Sequence, residues 1–350
     1  MAQNGLASRL YNGEAGLNIV GRRKLWFGVA GVLVLIAILS FSIRGFSLGI
    51  EFAGGNSFQV PASVGTLNDA EREVNSALAA ENTGAHVVTA QEVGGDSYEL
   101  RTGQLSAEQA NAVKAQIAED LGINVDQISG NQVSEAWGSQ VTERAVLGLI
   151  IFIALVMVYL ILRFEWRMAV AAVSSLIMNL ILTAGIYSLV GFEVTPSTII
   201  GFLTILGFAL YDVVVVFDKV QENTRGITAN NNQTYGEAAN LAVNQSLMRS
   251  LNTSVVALLP VGGLLFIGAG LLGAGTLKDL GLVLFVGMAV AFLTSILVAT
   301  PLLALLKNYD PRIQAHNKRV LVRRGAVSRG EVPSKGAASP APADATTSRS

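Results

Sequence analysis

The chain has 350 residues, of which 51% are hydrophobic and only 14% charged, with 36 glycines. An ordinary soluble domain carries about 25% charge, so this composition points to a membrane protein rather than a large soluble enzyme. Cysteine is absent, which excludes disulfides, thiolate chemistry, Fe–S clusters and thiolate zinc sites; the two histidines, His86 and His316, lie too far apart in sequence to suggest a histidine site.

Residues 1–24 form a polar leader that ends in Arg22-Arg23-Lys24. An apolar run over 25–43 follows. Charge before an apolar core is also the order of a signal peptide. This run is longer than a signal core and sits behind a polar leader of more than 20 residues, so it reads as a retained spanning helix.

Residues 44–144 are acidic, with 14 Asp and Glu against 5 Lys and Arg. A strand is expected at Ser57–Val60, then a helix capped by Thr66 or Asn68, with Glu71 three residues after Asn68 as in a capping box. Ala85–Val93 and Ser97–Thr102 read as a hairpin about Gly94-Gly95-Asp96. Ser106 caps a second helix, and Gln127–Val133 reads as a last strand. The order β-α-β-β-α-β is the ferredoxin-like arrangement. No paired carboxylates, metal spacing or nucleophile constellation occurs in it, so it reads as a surface for a partner or substrate.

Five further apolar runs fall within 145–306: Ala145–Leu162, Met168–Val190, Thr195–Phe217, Ser254–Leu272 and Leu280–Leu306. Each has about the 20 residues that cross the hydrocarbon. The expected fold is therefore a polytopic α-helical membrane protein with six transmembrane helices and one small α+β, ferredoxin-like extracytoplasmic domain between helices one and two. Gly185, Gly201, Gly207, Gly262, Gly263, Gly281 and Gly287 suit close helix contacts. Ser174, Ser175 and Asn179 should face other helices. Pro196 suits a helix start, and Pro260 predicts a kink or break in span five.

Lys and Arg cluster before span one, between spans two and three (Arg163, Arg167), between four and five (Lys219, Arg225, Arg249) and after span six. That alternation predicts two cytoplasmic termini and an acidic domain outside. The tail over 307–350 begins basic, with Lys318-Arg319 and Arg323-Arg324 held at an anionic inner leaflet, and becomes Pro/Ala/Ser/Thr-rich and disordered from Gly336. No nucleic-acid-binding module accompanies the charge, so no nucleic acid is expected as a partner.

Asp212 stands out as a carboxylate midway along a span, in GFLTILGFALYDVVVVF. Such a group is either a proton or ion relay or a satisfied structural pair. Asp218, beside Lys219 and near Glu222, reads as an anchor at the helix end. Arg249 is the natural counter-charge within the chain, or a positive charge at the inner boundary. Gln245, Arg249 and Asn252 fall at i, i+4 and i+7 and share one helix face, with Asn244 beside them. No His–Glu spacing supports an intramembrane hydrolase.

Several stretches together resemble the SecF family of protein-export membrane proteins. LGIEFAGG (Leu48–Gly55) resembles the family's motif leading into the outside domain, carried here by Gly49, Glu51, Gly54 and Gly55, with Glu51 where the family usually has Asp. RFEWRMAVAAV resembles the loop between spans two and three. LGFALYDVVVVFDKVQEN is similar to the most diagnostic stretch, and NQSLMRSLNTS to the start of span five. The resemblance implies an auxiliary, non-enzymatic subunit without a cofactor. Its partners would be SecD, the SecYEG channel, the SecA ATPase, exported preproteins, protons and membrane lipids. It would use the proton motive force at the bacterial cytoplasmic membrane. Asp212 and Arg249 would carry the proton relay, SecD would supply the main partner carboxylate, and Asp218 and Asn223 match further motif positions. The family often has Asn-Asp-Thr where this chain has Tyr211-Asp212-Val213. Two competing readings are half of a proton-driven small-molecule or lipid exporter, and a structural scaffold of the translocase.

Overall fold

The computed structural model describes residues 16–329 except 94, 230–231 and 272–274. The tail expected to be disordered from Gly336 lies outside the described residues. The chain runs through α1 (Arg23–Ile43), β1 (Ser47–Leu48), a helical turn at Ile50–Ala53, and β2 (Gly55–Pro61). It continues through α2 (Leu67–Ala80), β3 (Val87–Val93), β4 (Ser97–Thr102), α3 (Ala107–Asp120) and β5 (Ser129–Val133). Then come α4 (Glu135–Arg163), α5 (Trp166–Val190), β6 (Glu193–Val194), α6 (Pro196–Thr224) and α7 (Tyr235–Gly263). The last elements are α8 (Gly275–Thr294), α9 (Thr300–Lys307) and α10 (Pro311–Ser328).

Among the described residues, six helices are long and apolar enough to cross a membrane. They are α1, α4, α5, α6, α7 with its continuation, and α8 running into α9. Local chemistry sets their ends. Pro196 occupies the first turn of α6 behind a Thr195–Thr198 capping box, where its missing N–H costs nothing. α5 stops at Gly191, whose φ of +85° suits glycine. α4 begins at Glu135, ten residues before the apolar run, because Ser134 caps it and the polar residues that follow are adequate helix formers.

Pro260 does not break α7, which stays α-helical to Gly263; the winding widens to π over Leu264–Leu271. A second π segment, Ser295–Ala299, joins α8 to α9. Wide turns of this kind concentrate at functional sites.

Glycine brings some helices together, as expected. Gly185 of α5 meets Ala37 of α1, Gly201 of α6 meets Val283 of α8, and Gly287 of α8 meets Ile205 of α6. Gly207 and Gly263 face open space and serve no such contact. A methyl group at Gly287 would collide with three carbons of the Ile205 side chain. Gly287→Ala is therefore expected to destabilise the bundle by about 1–3 kcal/mol. A lowered thermal midpoint of the detergent-purified chain is the readout, with Gly207→Ala as the neutral control.

The small unit is a four-stranded antiparallel sheet in the order β3-β4-β2-β5. Phe58 on β2 stands opposite Leu100 on β4 and Gly130 on β5. α2 and α3 close a core of Phe58, Val60, Val74, Leu78, Leu100, Val113, Ile117 and Ile128. Thr66 caps α2 in a box with Asp69, not Asn68 with Glu71, because the Thr66 hydroxyl reaches the third helical N–H. Ser106 caps α3 with Gln109. The turn residue Gly95 has φ +73°; Gly94 lies outside the described residues.

Two features escape the sequence patterns. β1 and β6 pair in parallel, two residues each, and tie the segment after α1 to the loop between α5 and α6. The basic stretch after Asp310 is not a free tail as far as Ser328: it forms α10, which buries Ile313, His316 and Val320. The backbone N–H of Tyr235 donates to Asn317 Oδ1 at 3.0 Å, and Arg324 pairs with Glu237 at 2.6 Å. Arg324 is thus committed to the protein rather than to lipid.

Candidate functional site

Asp212 lies midway along α6 and is 3% exposed. The Ser295 hydroxyl, at the start of the π segment, donates to Asp212 Oδ2. Ser250 of α7 also lies towards this carboxylate without reaching hydrogen-bond geometry. Among the described residues no cation pairs with Asp212. An ionised carboxylate left this way in an apolar bundle is strongly disfavoured unless it is protonated, hydrated or met by another chain.

The structure does not bring Arg249 to Asp212. Arg249 is exposed on the outer face of α7, together with Gln245 and Asn252, while the adjacent Ser250 is the residue turned inward. The i, i+4, i+7 face is therefore real, but it looks out of the chain. Tyr211, next to Asp212, is 52% exposed. On α7, Val256 and Leu259 are exposed as well. A row of Gln, Arg and Asn is costly where it meets lipid.

The other motif residues have structural duties. Asp218 pairs with Arg163 at 2.7 Å, tying the ends of α6 and α4 together at the exposed boundary. Asn223 Nδ2 donates to Gln245 Oε1 at 3.0 Å and joins α6 to α7. Asn244 is buried and brackets the N-terminal segment: its Oδ1 accepts from Leu17 N–H, and its Nδ2 donates to the Leu17 carbonyl. Asn240 accepts from Ile19 and Val20 N–H in the same clamp.

The glycine motif positions the small unit. Gly49 N–H donates to the Val194 carbonyl at 2.9 Å. Gly54 has φ +75° and Gly55 φ +136°, and a Cβ at Gly55 would sit 2.5 Å from the Thr102 carbonyl oxygen. Glu51 Oε2 is buried without a protein partner. Beside it, Arg101 of β4 pairs with Glu193 of β6, and with Glu99 at 3.2 Å. Burial pushes the Glu99 carboxyl up, but the Arg101 guanidinium and hydrogen bonds from Ser57, Arg101 and Gln91 outweigh it and hold it below the usual range. Lys278 Nζ reaches Gln91 Oε1 at 3.4 Å. The sheet is thereby latched to the ends of α5, α6 and α8.

Sequence reasoning missed Ser295 and Ser250, and it missed the Arg101–Glu193 pair. A polar residue within an apolar span was the available signal for the serines; nothing local marks Arg101. No group of His, Cys, Asp or Glu suited to a metal occurs among the described residues.

The family profile described as "Protein export membrane protein SecD/SecF, C-terminal" matches residues 113–309, and that described as "SecD/SecF GG Motif" matches residues 39–64. The chain is 45% identical to the protein translocase subunit SecF of Streptomyces coelicolor, over 93% of this chain and 86% of that one. It is 42% identical to the subunit of that name from Mycobacterium tuberculosis, over 94% and 75%. Among solved structures it is similar to the crystal structure of SecDF from Thermus thermophilus, with a TM-score of 0.71 and 28% identity. That match covers 83% of this chain but only 39% of the SecDF chain. With a profile spanning more than half of its length and close relatives along nearly all of it, the chain belongs to the SecD/SecF family of protein-export membrane proteins.

Proposed function

We propose that the chain is the auxiliary SecF-type subunit of a Sec protein translocase, working with a SecD subunit to turn the proton motive force into preprotein export. The observation that carries this is Asp212, a buried carboxylate that no cation among the described residues pairs with, next to the exposed Tyr211 and on the helix before the one that exposes Gln245, Arg249 and Asn252. SecD is the partner that this face requires. The SecDF of Thermus thermophilus, of whose length this chain matches 37%, supports that pairing. Across the interface Arg249 meets the partner's acidic group, and Asp212 changes protonation behind it.

The rest of the architecture follows from this reading. Both termini are cytoplasmic, in the bacterial cytoplasmic membrane, as the alternation of Lys and Arg supports. Residues 44–144 form the ferredoxin-like extracytoplasmic domain, supported by its element order and the strand order β3-β4-β2-β5. The SecYEG channel and SecA lie beside the subunit, and the domain handles the emerging preprotein. No covalent chemistry is involved.

Coupling runs through the packing around Asp212. Protonated, the group needs only hydrogen bonds; ionised, it needs water or a cation. The π segment at Ser295–Ala299, whose first hydroxyl holds the carboxylate, is the element that can rewind between the two states.

A photo-crosslinking residue placed at Tyr211 or Val256 tests the docking face in native membranes. Capture of a SecD-type subunit is expected, with none from Leu155 on the exposed side of α4. Capture of a small-molecule or lipid exporter subunit, or of no protein from either position, would overturn the reading.

A further inference from the structure

α5 carries a row of polar residues that the relay does not yet use. Ser175, Asn179, Thr183 and Tyr187 are spaced by four, and all are 0–1% exposed. The row covers about 18 Å of the roughly 30 Å hydrocarbon thickness. At one end, Ser175 Oγ donates to the Thr294 carbonyl at 3.3 Å, one residue from the serine that holds Asp212. At the other, Tyr187 Oη donates to the Asp279 carbonyl at 3.4 Å. The Asp279 side chain sits among Thr195, Arg101, Lys278 and Glu51. The row therefore connects the charged latch beneath the small unit with the buried acid.

Its centre is unsatisfied. Both amide atoms of Asn179 are buried and have no hydrogen-bond partner among the described residues, although the side chain is 0% exposed. Thr183 donates only to the Asn179 backbone carbonyl, at 2.8 Å. Thr300, at the start of the α9 helix that packs on α5, has an orphaned hydroxyl too. A dry core amide would cost less as leucine. Buried polar groups without protein partners are what ordered water satisfies.

We propose that the buried face of α5 bearing Ser175, Asn179, Thr183 and Tyr187 is a hydrated proton-access route from the outer surface to Asp212, with Asn179 holding its central waters. This rests on Asp212 acting as the relay. Each water takes up one proton as it passes one on, so only O–H bonds form and break. The net transfer is one proton from the outer surface to the Asp212 carboxylate. Asn179 is a positioning residue: it orients water and carries no proton itself.

The absence of cysteine gives a clean test. Asn179→Cys and Thr183→Cys are made singly in the full chain, in native membrane vesicles with its partner. Blocking by silver ion is followed by mass spectrometry. Val283→Cys, a 0% exposed position packed on Gly201, is the control. The Asn179→Cys and Thr183→Cys thiols should be blocked at least tenfold faster than the Val283→Cys thiol. Equal rates for all three would overturn the route. In parallel, Asn179→Leu should abolish gradient-driven export while Asn179→Ser, which leaves room for water, keeps most of it. Equal export by both would overturn the positioning role. Silver blocking does not depend on export, so a dry route is told apart from a failure of Asp212 as the relay.

Discussion

Asp212→Asn is expected to remove the proton-gradient-dependent part of export while leaving the chain folded and assembled. Asparagine has the same shape, and its Oδ1 still accepts the hydrogen bond from Ser295, so the packing of α6 against the last span survives. What disappears is the ability to take up and release a proton. The gradient-dependent rate should fall by about a hundredfold, the low end of what a positioned proton-transfer group contributes. The measurement is export into inverted membrane vesicles with and without a collapsed gradient, beside co-purification of the partner. A scaffold would tolerate the change. Normal gradient-dependent export by an assembled Asp212→Asn complex would therefore remove the relay and leave the scaffold reading.

Arg101→Glu should release the small unit from the bundle. The Arg101 and Glu193 side chains are 10% and 11% exposed, so the pair is largely shielded from water. Breaking such a pair from one side costs about 3–5 kcal/mol, because the remaining carboxylate stays buried and unpaired. Here Glu193, Glu99 and Glu51 would all face a new negative charge. A short bifunctional maleimide joining Lys278→Cys to Gln91→Cys, which replace residues in contact at 3.4 Å, reports docking. The expected result is efficient linkage in the parent, a large loss with Arg101→Glu, and recovery on adding Glu193→Arg. Unchanged linkage in Arg101→Glu would show that apolar contacts at Phe52 and the β1–β6 pair hold the unit without the ion pair.

The two predictions draw on different kinds of information. Asp212 was visible in the sequence because the price of a carboxylate in hydrocarbon is a property of one residue in one window. The six spans were visible for the same reason, and the β3–β4 hairpin was visible because turn chemistry is local. The cap at Ser106 acts within three residues of itself. Even so, Thr66 and Asn68 competed for one cap, and only the folded helix chose Thr66.

Contacts between distant residues were not legible. Ser295 reaches Asp212 across 83 positions of sequence, and Arg101 pairs with Glu193 across a span boundary. Neither has a local signature. The i, i+4, i+7 spacing placed Gln245, Arg249 and Asn252 on one face, but did not say towards which neighbour that face turns. Packing turned Ser250 inward and Arg249 outward, so the expected internal counter-charge lies on the exposed side of α7 instead. The tail's polarity concealed α10, because the helix buries just Ile313, His316 and Val320 and its remaining face stays wet. By itself the sequence determined which segments enter the membrane, how their ends are capped, and that one acid lies among them. These depend on transfer free energy and short-range hydrogen bonding. The tertiary structure alone decided what that acid touches, which polar row is buried along α5, and how the small unit is fastened, because those depend on the rotation and register of helices that meet only after folding.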